Sequence, residues 1–447
     1  PSSSKQCFHT GGLNVMLYPD LGSTSNQLNV RGRKVLPNGG SRSSIQSAPY
    51  TIFLDACRGK YIVDVDGNKY VDFNNNYTSL IHGHCHPKIV EATTRQIAKG
   101  SAFAFGSSAE VELAELLCER VPEFEQIRFM NSGTEAVMNG IKAARAATGK
   151  AKIAKCENAY HGSYDAAEIS LAVTPTNLDH GDPVAKAYSF GTPQGVLDDI
   201  VIIPFNDVEN SRRILEAHGS DLAGILFDPF GANMGRTPPS QAFIDLFAEM
   251  RTKYGLKLIA DEVVAFRSGF RGCMDKYNVR ADLTCLGKII GGGFPVGAVA
   301  GPHDVMSVFE SGAEKAKLPH GGTFNANPVT MVAGYTAMEM MTESEFKRIN
   351  NLGDQFRAGI KEVLSQVNVK ANILGQDSVF ALEILEPKPS PDTQTRGSMR
   401  HISGPEADLI NEGYFISAGM HGTISTAMDE DDVAPFCDAL HKALKAL

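Results

Sequence analysis

The sequence predicts an α/β fold in which a mainly parallel β-sheet is covered by helices. Apolar runs at 201–204, 224–227 and 256–260 have the length of buried strands, and they alternate with helical stretches such as 242–253. This alternation is typical of β-α-β units. The chain has 447 residues, of which 43% are hydrophobic and 21% charged, so it can form more than one core. We therefore expect a large α/β domain and a smaller second domain.

Composition argues against several other classes of protein. The net charge is −9 and no long basic cluster is present, which argues against broad nucleic-acid binding. No apolar run approaches the roughly eighteen residues that a membrane span requires. The eight cysteines show neither paired metal-binding spacing nor a compact disulfide framework, a pattern typical of reduced thiols in the cytoplasm. The chain begins at Pro1, and we infer no export signal from its Ser-rich start.

The first informative element is a short strand predicted at 126–130 and followed by an Ala-rich helical pattern that ends at Gly149. Between them lie Ser132, Gly133 and Thr134. Glycine lets the backbone approach an anion, the two hydroxyls can donate hydrogen bonds, and a helix N-terminus presents free amides. This segment can therefore bind a phosphate. The alternative is an ordinary N-cap formed by Ser132 or Thr134.

Asp261 and Lys288 each follow an apolar run that is expected to form a buried strand, so both can converge at one edge of the sheet. A lysine amine can form a Schiff base with the aldehyde of pyridoxal phosphate, and a buried aspartate can keep the pyridine nitrogen of this cofactor protonated. Either residue alone would more often be a solvated surface residue. Together with the phosphate segment, the pair favours a pyridoxal-phosphate site.

Four motifs occur in the order and spacing found in class III pyridoxal-phosphate aminotransferases, and the resemblance runs from about Val65 to Ala333. The motifs are Ser132-Gly133-Thr134-Glu135-Ala136, Tyr160-His161-Gly162, Asp261-Glu262-Val263 and Leu286-Gly287-Lys288. The segment 116–122 resembles the glutamate-1-semialdehyde aminomutase branch. This resemblance implies the fold type I of pyridoxal-phosphate transferases, with a seven-stranded, mainly parallel sheet and a small α+β domain. We expect residues 76–335 to form the large domain, and 1–75 and 336–447 to form the small one.

The resemblance also implies roles for individual residues. Tyr160 would stack on one face of the cofactor ring, Val263 would pack on the other face, and Asp261 would bind the ring nitrogen. Thr323 would reach the phosphate of the neighbouring subunit, because the active sites of this family are shared in a homodimer. Asp228 stands where relatives commonly carry a glutamate before proline, and it is a further candidate for the cofactor site.

His161 and Glu135 are expected to support the cofactor site through hydrogen bonds rather than to react. His82, His84 and His86 alternate in a way that suggests a metal site, but Gly-His-x-His-Pro is also a structural turn of this family. We therefore expect no metal.

Arg42 is the candidate for substrate recognition. It lies in a Gly-Ser-Arg-Ser segment followed by Ala48-Pro49, which resembles the segment of β-amino-acid and β-phenylalanine aminotransferases that carries the arginine for the substrate carboxylate. Arginine can bind a carboxylate with two parallel hydrogen bonds. The alternative is a solvated loop arginine.

The expected reaction moves an amino group from a β-amino acid or an aromatic amino acid to a 2-oxo acid in two stages. The alternative is glutamate-1-semialdehyde 2,1-aminomutase, or another intramolecular pyridoxal-phosphate reaction. The segment 414–423 contains neither arginine nor glutamate, although many relatives carry one of them there. The missing glutamate favours the aminotransferase over the aminomutase.

Overall fold

A computed structural model describes residues 17–173, 181–231, 237–386, 400–402, 404–417 and 419–447. Within these ranges, every helix is too short or too polar to cross a lipid bilayer. The strands, numbered β1 to β16 along the chain, are Ser47–Ala48, Leu54–Arg58, Tyr61–Asp64, Lys69–Asp72, Gln126–Met130, Lys152–Cys156, Ile200–Ile203, Leu222–Phe227, Lys257–Asp261, Leu283–Gly287, Gly297–Gly301, Lys370–Leu374, Val379–Glu386, Arg400–His401, Tyr414–Phe415 and His421–Thr423.

The helices, numbered α1 to α13, are Thr24–Gly32, Pro87–Ile97, Ser108–Arg120, Gly133–Thr148, Asp165–Glu168, Gln194–Asp198, Val208–His218, Gln241–Tyr254, His303–Met306, Pro328–Met340, Glu343–Gln366, Pro405–Asn411 and Val433–Lys445. Short 3₁₀ turns occur at Pro37–Gly39, Ser43–Ile45, Ala265–Ser268, Met274–Lys276, Lys288–Gly291, Ser307–Phe309 and Glu430–Asp432. Asn75–Thr78 forms one further turn, whose residues all have positive φ.

The chain divides into two compact units. One unit comprises Pro87–Arg348, and the other comprises the described residues of Pro1–His86 and Ile349–Leu447.

The unit Pro87–Arg348 contains a seven-stranded sheet with the strand order β5-β11-β10-β9-β8-β6-β7. Only β11 runs antiparallel to its neighbours, so the predicted α/β fold with a mainly parallel seven-stranded sheet is confirmed. Side chains of one strand enter hydrophobic clusters on opposite faces, because successive residues of a strand point in opposite directions. In β9, Ile259 packs in one cluster, and Leu258 and Ala260 pack in the other.

The strand register explains why distant residues meet in this unit. Phe227 at the end of β8 pairs with Ala260, and Asp261 at the end of β9 pairs with Cys285 in β10. The residues that follow β8, β9 and β10 therefore emerge at the same edge of the sheet. This edge is where parallel sheets commonly bind ligands.

The second unit has an α+β structure. It contains a four-stranded sheet with the order β15-β4-β3-β2, a three-stranded sheet with the order β12-β13-β16, and the parallel pair β1-β14. Its core includes a cluster of aromatic rings centred on Phe73, whose centroid lies 5.3 Å from Phe356, 5.5 Å from Phe380 and 4.8 Å from Phe436. The cluster joins β4 to the helices and strands of the C-terminal segment.

Candidate active site

Lys288 follows directly after β10 and has a left-handed backbone, with φ of 49°. Burial lowers the pKa of its amine, and the nearby Arg267 lowers it as well, whereas Asp261 and Asp228 oppose this shift. A lowered pKa raises the fraction of neutral amine, which is the nucleophilic form of lysine. The position of Lys288 therefore suits covalent binding of an aldehyde.

Asp261 is buried at the end of β9 and is fixed by two hydrogen bonds. Its Oδ2 lies 2.7 Å from Nδ1 of His161, and its Oδ1 accepts from the amide of Val263 at 3.1 Å. The His161 side chain is also buried. A carboxylate held in this way keeps a fixed orientation and can face a protonated ring nitrogen.

Asp228 follows β8 and lies close enough to Asp261 for the two charges to interact. Its Oδ1 accepts from the amide of Phe230 at 2.8 Å. Burial raises the pKa of Asp228 well above its usual range, and the negative charge of Asp261 raises it further. Two neighbouring buried carboxylates favour a cation between or beside them. These residues thus fit the protonated pyridine ring of pyridoxal phosphate.

The N-terminus of α4 lies where the sequence predicts an anion site. Ser132 is the N-cap, and its Oγ accepts from the amide of Glu135 at 3.1 Å. The Glu135 carboxylate in turn accepts from the amide of Asn131 at 2.6 Å. In the part of the chain that the structure describes, the amides of Gly133 and Thr134 have no acceptor. Ser132 is therefore a structural cap, and two free amides at this helix end fit a phosphate.

Close packing around glycines brings the site residues together. A Cβ on Gly133 would lie 2.7 Å from Cγ1 of Val263, and a Cβ on Gly287 would lie 3.2 Å from the same atom. A Cβ on Gly162, which has φ of 93°, would lie 2.5 Å from Oγ1 of Thr134. Because these glycines lack side chains, the anion site can approach Val263 and the segment before Lys288.

The structure thus groups most of the predicted cofactor residues within the unit Pro87–Arg348. Tyr160 precedes the buried His161 and leaves 52% of its own surface exposed, so its ring is accessible to a ligand. Thr323 lies on an exposed loop before α10 and makes no hydrogen bond with the other site residues that the structure describes.

Arg42 belongs to the other unit, and its side chain is exposed. Its Nη1 donates to Oδ1 of Asn76 at 3.0 Å, and the centre of its guanidinium lies 5.3 Å from the Tyr77 ring centroid. Among the described residues, no carboxylate forms an ion pair with Arg42. The guanidinium of Arg42 can therefore still bind a carboxylate.

Two of the three alternating histidines contact different partners. His82 binds Thr426 through a contact of 3.0 Å, whereas His84 lies 2.7 Å from Oδ2 of Asp72. Over the described ranges, no group of three or more His, Cys, Asp or Glu residues is arranged to hold a metal ion.

Sequence reasoning missed two arginines, the buried Arg267 and the partly buried Arg400. Arg267, six residues after Asp261, is fully buried close enough to Lys288 to affect its pKa. Arg400 donates to the carbonyl of Ile416 at 3.1 Å and pairs with Glu406. Burial lowers the pKa of Arg400 to about 10. A charged residue directly after the apolar stretch 263–266 was the available signal for Arg267, whereas no local pattern indicated Arg400.

The sequence of this chain is similar to those of known proteins over most of its length. The model of the family described as aminotransferase class-III matches residues 43–407. Glutamate-1-semialdehyde 2,1-aminomutase 1 of Staphylococcus carnosus is 33% identical over 400 residues, which cover 89% of this chain and 91% of that protein.

Two solved structures are also similar over nearly the whole chain. An omega-transaminase from Sphaerobacter thermophilus is 47% identical with a TM-score of 0.90, and the match covers 97% of this chain and 99% of the other. A β-phenylalanine aminotransferase from Variovorax paradoxus is 28% identical with a TM-score of 0.80, and the match covers 94% and 93% of the two chains.

Proposed function

The chain belongs to the class-III aminotransferases, which use pyridoxal phosphate, and we propose that it moves the amino group of a β-amino acid or an aromatic amino acid to a 2-oxo acid. The family membership confirms the resemblance that the sequence motifs indicated. A 2-oxo acid acceptor such as 2-oxoglutarate or pyruvate would complete the cycle.

The observation that carries this proposal is the exposure of Arg42 and its lack of an acidic partner among the described residues. Its guanidinium is exposed, it rests against Tyr77 and Asn76, and within the described residues it pairs with no acid. An unpaired arginine binds a carboxylate strongly, because planar geometry allows two charge-assisted hydrogen bonds. The likeness to a β-phenylalanine aminotransferase supports a substrate whose amino group lies on the carbon β to this carboxylate.

The proposed reaction uses few groups of the protein. When bound, pyridoxal phosphate supplies an aldehyde and an electron-accepting ring. Lys288 would hold this aldehyde through Nζ, and the same atom, as a free amine, would move a proton at the substrate carbon. Asp261 keeps the ring nitrogen protonated, and the amides of Gly133 and Thr134 bind the phosphate.

A second candidate function is glutamate-1-semialdehyde aminomutase, because relatives with this name are 32% to 33% identical over most of the chain. An aminomutase completes its cycle on one molecule and requires no separate acceptor. The absence of glutamate and arginine from 414–423 argues against this function. Dependence on an acceptor therefore distinguishes the two functions.

We also propose that the protein is a cytoplasmic homodimer in which Thr323 of the partner subunit reaches the cofactor phosphate. An apolar groove of about 630 Å³, lined by Ile97, Phe294 and Phe324 among others, supports a second copy as its occupant. The groove also includes Asn131, which precedes the phosphate segment, and Phe324, which follows Thr323. Light scattering should therefore give twice the mass of the chain; a monomer with full activity would contradict this arrangement.

Acceptor dependence is the experiment that tests the proposed function. We expect purified holoenzyme to form 3-oxo-3-phenylpropanoate from 3-amino-3-phenylpropanoate over many turnovers only when 2-oxoglutarate or pyruvate is present. The variant Lys288→Ala should form none. Turnover of glutamate-1-semialdehyde without any acceptor, combined with no turnover of the β-amino acid, would show that the proposal is wrong and that the aminomutase is correct.

A further inference from the structure

The turn that contacts Arg42 has an unusual backbone. Asn75, Asn76, Tyr77 and Thr78 all lie in the left-handed region, with φ of 48°, 48°, 53° and 73°. Residues other than glycine rarely adopt this conformation, and they usually do so singly. Such backbone strain persists only where the surroundings impose it, and it concentrates at functional sites.

Buried hydrogen bonds impose this conformation on the turn. Oδ1 of Asp72 accepts from the amides of Asn74 and Asn75 at 2.8 and 3.1 Å. Oδ1 of Asn74 accepts from the amide of Tyr77 at 2.6 Å, which closes the turn. The Asn75 side chain, which is buried, donates to the carbonyl of Thr423 at 2.9 Å. The turn is therefore held to β4 and β16 by groups that solvent does not reach.

The two residues at the centre of the turn reach outward to Arg42. The Asn76 side chain accepts the hydrogen bond from Arg42, and the guanidinium lies over the Tyr77 ring within the range of a cation–π interaction. The Tyr77 hydroxyl donates to the carbonyl of Ser44, two residues after Arg42. The turn thus contacts both the head group of Arg42 and the backbone of its loop.

We propose that Asn76 and Tyr77 are positioning residues that hold Arg42 ready for the carboxylate of the substrate. An exposed arginine loses much side-chain freedom when it binds a ligand, and prior orientation reduces that loss. One donor of the guanidinium is used by Asn76, so the remaining donors can still bind a carboxylate. This inference rests on the proposed function, in which Arg42 recognises the acid.

The experiment compares ligands that differ in the carboxylate. The affinity of holoenzyme for 3-phenylpropanoate is measured by inhibition or calorimetry, and the Michaelis constant and turnover are measured with 1-phenylethylamine, which has no carboxylate. The variants are Asn76→Gly and Tyr77→Asn, because glycine and asparagine both tolerate a left-handed backbone. Tyr77→Phe keeps the ring and removes only the contact with Ser44. Asn38→Gly is the matched control, since Asn38 is exposed and also left-handed, with φ of 51°.

The expected order of effects is specific. Arg42→Ala should weaken 3-phenylpropanoate binding by about 10- to 100-fold, as for loss of a charged hydrogen-bonded pair. Asn76→Gly and Tyr77→Asn should each weaken it by about 3- to 10-fold, as for loss of preorganisation. Tyr77→Phe should fall between Tyr77→Asn and wild type, and Asn38→Gly should equal wild type. The constants for 1-phenylethylamine should not change in any turn variant.

Two results would overturn the inference while the proposed function stands. In the first, Asn76→Gly and Tyr77→Asn bind 3-phenylpropanoate as tightly as Asn38→Gly does, although Arg42→Ala binds it weakly. In the second, the turn variants weaken the binding of the acid and of the amine equally, which would make the turn merely structural. If wild type fails to bind 3-phenylpropanoate, or if Arg42→Ala binds it normally, the proposed function is wrong, and the inference falls with it.

Discussion

Nδ1 of His161 lies 2.7 Å from Oδ2 of Asp261, and both side chains are buried. The two residues are a hundred positions apart in the sequence, yet the contact orients the carboxylate that is expected to face the cofactor ring. A hydrogen bond to the charged form of an acid favours that form. We therefore expect His161 to act as a positioning residue for Asp261.

Loss of the His161 contact should lower turnover more than cofactor content. We expect His161→Ala to reduce kcat by about tenfold, because a hydrogen bond to a charged group contributes on the order of 1.5 to 3 kcal/mol and part of it is replaced by water.

Asp261→Ala should reduce kcat by on the order of a hundredfold or more, with a smaller effect on substrate binding. Steady-state kinetics and cofactor absorbance measure both effects. Near-normal turnover in Asp261→Ala would contradict the role assigned to this residue.

Gly133 should be required for tight cofactor binding. A Cβ at this position would lie 2.7 Å from Cγ1 of Val263, so Gly133→Ala must displace the residue that is expected to pack on the cofactor ring. Overpacking of this kind costs about 1 to 3 kcal/mol, and we expect cofactor affinity to fall by about tenfold. Gly312→Ala is the control, because a Cβ there meets nothing within 4 Å. Equal cofactor dissociation constants for the two variants would refute this packing argument.

The pairing of His84 with Asp72 should make stability depend on pH. Burial lowers the pKa of His84, but hydrogen bonds to Asp72 and Cys57 together with their charges outweigh burial and raise it to about 9. The folded pKa exceeds the ordinary value, so the stabilisation is complete below pH of about 6.5 and is lost as pH rises through about 9. The shift corresponds to a loss of about 3 kcal/mol over that window.

Thermal unfolding of wild type and Asp72→Asn measures this effect. The Asn side chain can still accept hydrogen bonds from the amides of Asn74 and Asn75 through Oδ1, but it carries no charge for His84. We expect the variant to unfold at a lower temperature at pH 6, and the difference from wild type to shrink at pH 10. A difference that stays constant across this range would show that the ion pair does not contribute.

Much of the secondary structure of the unit Pro87–Arg348 could be predicted, because it follows from local runs of apolar residues. The predicted strand at 126–130 matches β5, and the helix pattern that begins after Ser132 ends at Gly149, which adopts a left-handed φ of 71°. The run at 256–260 differs from β9 by one residue at each end. Apolar runs report burial directly, and residues after adjacent parallel strands must meet at one edge. The positions of Asp261 and Lys288 follow from these two rules.

Other features depend on contacts that no local pattern contains. The left-handed turn Asn75–Thr78 is imposed by Asp72 and Thr423, and three consecutive asparagines do not by themselves predict four such residues in a row. The contact between Arg42 and Asn76 joins segments 34 positions apart. Arg400 was not predicted because its neighbours are distant in the sequence: it lies in β14, which pairs with β1, a strand of only two residues.

The half-reaction with single enantiomers tests the central claim most directly. Purified holoenzyme is mixed with (R)- or (S)-3-amino-3-phenylpropanoate without any acceptor, and the absorbance of the lysine-bound cofactor is followed. The proposed function predicts that one enantiomer converts the cofactor to its aminated form within a single turnover. An unchanged spectrum with both enantiomers would contradict a β-amino-acid aminotransferase and would direct the search to aromatic α-amino acids, simple amines and aminomutase substrates.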